Sequence, residues 1–284
     1  MIEDLVGAGA WDGGAWLDRV EAAVREAVAE AVMPRFRQLA AHEVVEKAGP
    51  HDLVTVADRE AEELLERSLT ALLPGSVLVG EEGVHAEPGR LADVRGAAPV
   101  WIVDPVDGTS SFVRGEPDFG CLVALAHRGE LLASWTYAPA QVLMATARRG
   151  GGARISGAEL LRAGHPAGDQ DLQVATSHPD YARTGARRVI DGLDVPGVSA
   201  RPCGSAGLEY LRVATGELDA FVASWESPWD HAAGLLLVAE AGGVNGTVAG
   251  EPFRITGGNA LPFVTARDAD TLRHILGLLT PLAR

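Results

Sequence analysis

A layered α/β sandwich in two lobes is the fold class that this sequence predicts. Apolar residues at helical spacing open the chain, short apolar runs broken by turn residues fill its middle, and strand–helix alternation begins near Asp171. At 284 residues the chain can bury a full core without a partner. We read residues 1–284 as a single unit with an N-terminal α+β lobe over 1–150 and a smaller C-terminal α/β lobe over 151–284.

In the first lobe, Leu17, Val20, Val24, Val28 and Val32 recur among charged residues and predict an amphipathic helix that ends near Pro34. Ala61, Leu64, Leu65, Leu69 and Leu72 repeat the pattern, predicting a helix from Asp58 to Leu72 stopped by Pro74-Gly75. Ser76 to Val79 and Val100 to Val103 read as buried strands that end in Glu81-Glu82 and Asp104. Cys121 to Ala126, Leu131 to Tyr137 and Val142 to Ala147 are punctuated by Arg128-Gly129 and Pro139, which predicts a mostly antiparallel sheet.

In the second lobe, Gln173 to Thr176 and Asp219 to Ser224 read as strands. Ala206 to Ala214 and Asp230 to Ala241 read as helices, the latter closed by Gly242-Gly243. Pro262 to Thr265 is a last strand, and Asp268 caps a final helix ending near Leu279.

Lysine and arginine total 24 against 39 aspartates and glutamates, for a net charge of −15. This balance speaks against nucleic acid polymers and anionic membranes as partners, so a metal-dependent nuclease is disfavoured. Cys121 and Cys203 are the two cysteines; they suggest a reducing, cytoplasmic setting rather than a disulfide framework. No apolar run reaches the roughly 20 residues of a membrane span.

The chemistry concentrates in Trp101-Ile-Val-Asp104-Pro-Val-Asp107-Gly-Thr109-Ser-Ser. Two aspartates follow a buried strand, Pro105 stiffens the turn between them, and Gly108 lets the backbone bend toward what they bind. Paired anions repel unless a cation lies between them, and oxygen donors of this kind suit Mg²⁺ or Mn²⁺. A solvated acidic turn is the alternative. Glu81-Glu82 reads either as surface charge or as a further ligand source, and Asp230 either as a helix cap or as a ligand.

Together these blocks resemble the inositol monophosphatase family of lithium-sensitive, magnesium-dependent phosphatases. The resemblance rests on Lys47-Ala-Gly-Pro-His-Asp52-Leu-Val-Thr55-Val-Ala-Asp58, Gly80-Glu81-Glu82, Asp104-Pro-Val-Asp107-Gly-Thr109, and Trp229-Asp230 followed by Glu240-Ala-Gly-Gly243. It runs from about Ala22 to the final helix. It implies an αβαβα sandwich of the sugar-phosphatase type, commonly homodimeric, acting on a small-molecule phosphate ester. It further implies that Glu81, Asp104 and the Val106 carbonyl bind one Mg²⁺, that Asp104, Asp107 and Asp230 bind a second, and that a third ion lies near Glu81. On the same ground Thr109, hydrogen-bonded to Asp58, orients the attacking water, with Asp58 as proton acceptor; from the residues alone Asp58 reads as a helix cap.

Gly108, Thr109 and Ser110 open a helical turn whose N–H groups suit phosphate oxygens. Gly204, Ser205 and Ala206 match the family segment that lines the substrate, and Lys47 is a candidate to steer the phosphate. The inositol-contacting glutamate of the animal enzymes, seven residues before the Trp-Asp aspartate, falls here on Ala223. Trp225 or Glu226 can shape that wall instead. Histidinol phosphate, fructose bisphosphate and 3′-phosphoadenosine 5′-phosphate are therefore alternative substrates, and a regulatory protein on the same fold is a further alternative. His231 is expected to pack or face solvent rather than bind metal, and Cys203 to be a core thiol.

Overall fold

The computed structural model describes residue 5 and residues 14–49, 52–155, 159–164, 171–178 and 189–279. Helix α1 (Gly14–Ala27) buries Trp16, Val20, Val24 and Ala27 along one face and runs on into a wider π turn at Val28–Val32. Pro34, which lacks an N–H, follows that turn. A hairpin of β1 (Val44–Gly49) and β2 (Asp52–Thr55) leads into α2 (Val56–Leu72).

Helix α2 begins two residues before the expected Asp58. Thr55 is its N-cap and accepts the Ala57 N–H at 3.1 Å, while Asp58 accepts the Thr55 N–H at 2.8 Å. This reciprocal capping box places Asp58 in the first turn rather than at its head.

Strand β3 (Val77–Gly80) runs into α3 (Glu81–Ala86), and β4 (Val100–Asp107) is followed by α4 (Thr109–Arg114). Strands β5 (Gly120–His127), β6 (Glu130–Ala138), β7 (Leu143–Arg148), β8 (Gly152–Ile155) and β9 (Glu159–Leu160) complete a seven-stranded sheet in sequence order. Only β3 and β4 pair in parallel there, so the mostly antiparallel expectation holds. Arg128 and Gly129 both take positive φ, which matches the twist of the β5–β6 hairpin.

The second sheet has the order β11-β10-β12-β14-β13. It comprises β10 (Leu172–Thr176), β11 (Val198–Pro202), β12 (Ala220–Ala223), β13 (Val244–Thr247) and β14 (Phe263–Ala266). Helices α5 (Ala206–Thr215) and α6 (Pro228–Glu240) lie between the sheets, and α7 (Ala269–Leu279) covers the far side. The Thr271 N–H donates to Asp268 at 2.7 Å, as its capping role requires.

Strand alternation creates the layers. Trp101 and Val103 of β4 pack with α1 and α2, whereas Val100 and Ile102 join α5, α6 and one face of the second sheet. Val174, Val222 and Val264 on the other face meet Ile275 and Leu279 of α7. The result is an αβαβα sandwich. Helix α6 is apolar nearly all round because both its sides are covered. Among the described residues no helix is long and apolar enough to cross a membrane.

Candidate active site

The site forms where β3 and β4 end. Gly80 pairs with Val103 in parallel register, so the next residues, Glu81 at the start of α3 and Asp104 within β4, lie side by side. Asp104 and Asp107 are three positions apart, and in a regular strand they would point to opposite faces. The strand continues through both, where a turn was expected. Its pairing with β5 slips between them: Asp104 pairs with Leu122 and Asp107 with Gly120. Two β4 residues, Pro105 and Val106, thus oppose Cys121 alone. This bulge returns Asp107 to the face of Asp104, and Pro105, which has no N–H for the ladder, sits within it.

Gly108 follows with φ +87°, and a Cβ there would lie 2.9 Å from the Asp118 carbonyl. Glycine is required at this bend. Asp107 then reaches the start of α5: its carboxylate accepts the Ser205 hydroxyl at 2.5 Å and the N–H groups of Ala206 at 3.0 Å and Gly207 at 2.7 Å. Those three donors fix the carboxylate and favour its charged form against the pull of burial, which raises its pKa to about 6.

Asp230 enters from the first turn of α6, which Pro228 starts; Ser227 stands at the N-cap position without a side-chain cap bond. Ligand-capable atoms of Asp104, Asp107 and Asp230 lie within 4.8 Å of one another. Burial, followed by the charge of Glu81 and Asp107, pushes Asp230 well above the usual carboxylate range, and Asp104 is raised by the same causes. An all-oxygen set of two buried aspartates and a half-buried one, whose charges repel one another, fits a hard divalent cation. Glu81 lines the same cavity, of about 430 Å³, from the start of α3. Among the described residues it is not part of the tight three-carboxylate group.

Asp58 lies behind Thr109. Its Oδ2 accepts both the N–H and the hydroxyl of Thr55, at 2.8 and 2.5 Å, and its Oδ1 lies 3.4 Å from the Thr109 hydroxyl. Burial raises the Asp58 pKa to about 7, opposed by the Thr55 hydrogen bond and assisted by Glu81. The Thr109 hydroxyl donates to the Val106 carbonyl at 2.9 Å, and that oxygen retains a second lone pair.

Gly108, Thr109 and Ser110 line the cavity, as do Gly204 and Ala206, while the Ser205 hydroxyl is held by Asp107. The Lys47 side chain lies outside the described residues. Trp225 forms part of the cavity wall. Glu226 does not: its carboxylate turns to Asn259, accepting the backbone N–H at 3.0 Å and the side-chain amide at 2.9 Å. Ala223 is buried in β12 opposite Phe263. Cys121 is buried and Cys203 borders the cavity; both are free thiols whose pKa burial raises. His231 is fully buried, and burial lowers its pKa to about 3.

One supporting residue was not singled out in the sequence. Glu62 of α2 accepts the N–H groups of Glu82 at 2.9 Å and Gly83 at 2.7 Å, capping the helix that begins with Glu81. Burial raises its pKa to about 7 against those two bonds. The sole hint was an acid on the otherwise apolar face of an amphipathic helix.

Fold and acidic site together define a phosphoric monoester hydrolase of layered α/β architecture. The chain belongs to the inositol monophosphatase family, whose model matches residues 16–273. It is 38% identical over 205 residues to the inositol-1-monophosphatase of Rhizobium meliloti, spanning 69% of this chain and 72% of that protein. It is also 34% identical over 214 residues to Nus factor SuhB of Escherichia coli, spanning 74% and 77% respectively. Among solved structures, an IMPase of Thermotoga maritima matches with a TM-score of 0.74 at 28% sequence identity, covering 92% of this chain and 96% of that one.

Proposed function

We propose that the chain hydrolyses the phosphate monoester of a small polyol or related polar metabolite, with Mg²⁺ as the resident cation and Mn²⁺ able to replace it. The observation that carries this reading is the group of buried Asp104 and Asp107 with half-buried Asp230, and Asp58 and Thr109 beside it. Glu81, Asp104, the Val106 carbonyl, Asp107 and Asp230 would hold two or three ions. Bound there, the cations supply Lewis acidity, lowering the pKa of a water and neutralising the leaving alkoxide.

The remaining work falls to the protein. Thr109, between the Val106 carbonyl and Asp58 Oδ1, orients the attacking water. Asp58 takes up its proton; Oδ2 is committed to Thr55, so Oδ1 faces the site. Backbone N–H groups at Thr109 and Ser110 hold phosphate oxygens, Gly204 and Ala206 border the leaving group, and Lys47 draws in the anion. Residues from β4 and from α6 converge here, so we treat the chain as one catalytic unit; a cytoplasmic homodimer is what the resemblance and the two free cysteines suggest for it.

A carboxylate that would grip ring hydroxyls is missing from the β12–α6 loop, since Ala223 is buried and Glu226 is held by Asn259. Trp225 and Trp229 line the cavity on that side. The test is phosphate release from inositol, histidinol, fructose and adenosine phosphate esters with Mg²⁺. Turnover of at least one ester supports the reading, and inositol monophosphate need not rank first. A regulatory role, favoured by similarity to a relative named as a Nus factor, is the second reading. Metal binding without release of phosphate from any ester would favour it.

A further inference from the structure

Asp230 is tethered by a feature that the metal-dependent reading does not use. Its Oδ2 accepts the indole N–H of Trp225 at 2.8 Å. Trp225 is itself fixed by the next residue of α6, because His231 Nε2 lies 3.1 Å from the Trp225 carbonyl. A carbonyl only accepts, so Nε2 carries the proton of this neutral ring and Nδ1 is the acceptor. The Tyr210 hydroxyl, 2.9 Å from Nδ1, donates to it.

The loop residue Trp225 is thus clamped at two points, its side chain by Asp230 and its backbone by His231. Rotating the Asp230 carboxylate would break the indole bond, and shifting the Trp225 backbone would break the His231 bond. Tyr210 belongs to α5, the helix whose first turn holds Asp107. The α5–α6 contact there is close: a Cβ at Gly234 would lie 2.1 Å from the Tyr210 ring. The hydrogen-bond chain therefore registers Asp230 on α6 against Asp107 on α5.

We propose that Trp225, locked through His231 and Tyr210, is a positioning residue that aims Asp230 at the cation it shares with Asp104 and Asp107. This rests on the phosphomonoesterase reading above. An indole suits the task because it orients the carboxylate with a hydrogen bond while adding no positive charge to compete with a divalent ion. Partners that orient a metal ligand typically alter metal affinity by about 10–100-fold when removed.

The test is calorimetric titration of the metal-stripped full-length protein with Mg²⁺, for the wild type, Trp225→Phe and Tyr210→Phe. Trp225→Phe keeps an aromatic ring at the position and removes the donor. It should weaken Mg²⁺ binding by about tenfold or more, and its loss of kcat/KM at limiting Mg²⁺ should close at saturating Mg²⁺. Tyr210→Phe should weaken binding in the same direction by a smaller factor. Wild-type affinity in Trp225→Phe overturns the proposal, including where KM for the ester rises, which would make Trp225 a substrate wall only. Should Trp225→Phe not fold, unchanged affinity in Tyr210→Phe overturns it equally. Wild-type protein that binds no Mg²⁺ overturns both this proposal and the reading beneath it, whereas equal binding by all three proteins overturns this proposal alone.

Discussion

Gly80 leaves open the space that the Glu62 carboxylate occupies: a Cβ at Gly80 would lie 2.2 Å from Glu62 Oε2. That carboxylate caps α3 through the N–H groups of Glu82 and Gly83, and so sets where Glu81 begins. Gly80→Ala would displace the cap. Overpacking of this kind costs roughly 1–3 kcal/mol, and urea unfolding should register a loss in that range together with weaker Mg²⁺ binding. Unchanged stability and metal affinity would show that the glycine is dispensable.

The same buried carboxylates make the metal-free protein sensitive to pH. Asp58 and Glu62 have folded pKa values near 7, raised from 3.8 and 4.5. Between those ranges the native state binds more protons than the unfolded chain, so unfolding free energy falls as pH rises from about 4 to about 7. In EDTA the melting temperature should be lower at pH 8 than at pH 5, and Glu62→Gln should reduce the difference. Added Mg²⁺ should raise it more at pH 8, where fewer protons compete for the cluster. A melting temperature in EDTA that climbs from pH 5 to pH 8 would contradict the assignment.

Asp58 and Thr109 should separate chemistry from metal binding. Asp58→Asn and Thr109→Val are expected to lower kcat by about 10²–10⁴-fold, the usual contribution of a positioned proton acceptor. Asp58 does not belong to the three-carboxylate group, so the Mg²⁺ affinity of Asp58→Asn measured by calorimetry should stay close to wild type. Near-normal turnover in both variants would remove them from the mechanism.

Much of the site was legible because hydropathy runs stop where carboxylates begin, at Gly80-Glu81 and Val103-Asp104. The bulge that puts Asp104 and Asp107 on one face was not, since it depends on how Cys121 of the neighbouring strand is paired. The start of α2 was displaced because Asp58 reads as a cap, whereas Thr55 caps and Asp58 answers from three residues on. Strand β11 escaped notice: it lies at a sheet edge and its side chains are largely exposed, so no apolar alternation marks it. Glu62 resembles any acid on a charged helix until α3 is folded against it. The Tyr210 to His231 bond joins residues 21 positions apart on separate helices, a relation that no local pattern encodes.

Phosphate release from a panel of small monoesters, measured with Mg²⁺ and again with excess EDTA, tests the central claim most directly. Turnover of at least one ester with Mg²⁺, abolished by EDTA and by Asp104→Asn, is the expected result. Equal release in EDTA, or none from any ester under either condition, would contradict a metal-dependent phosphomonoesterase.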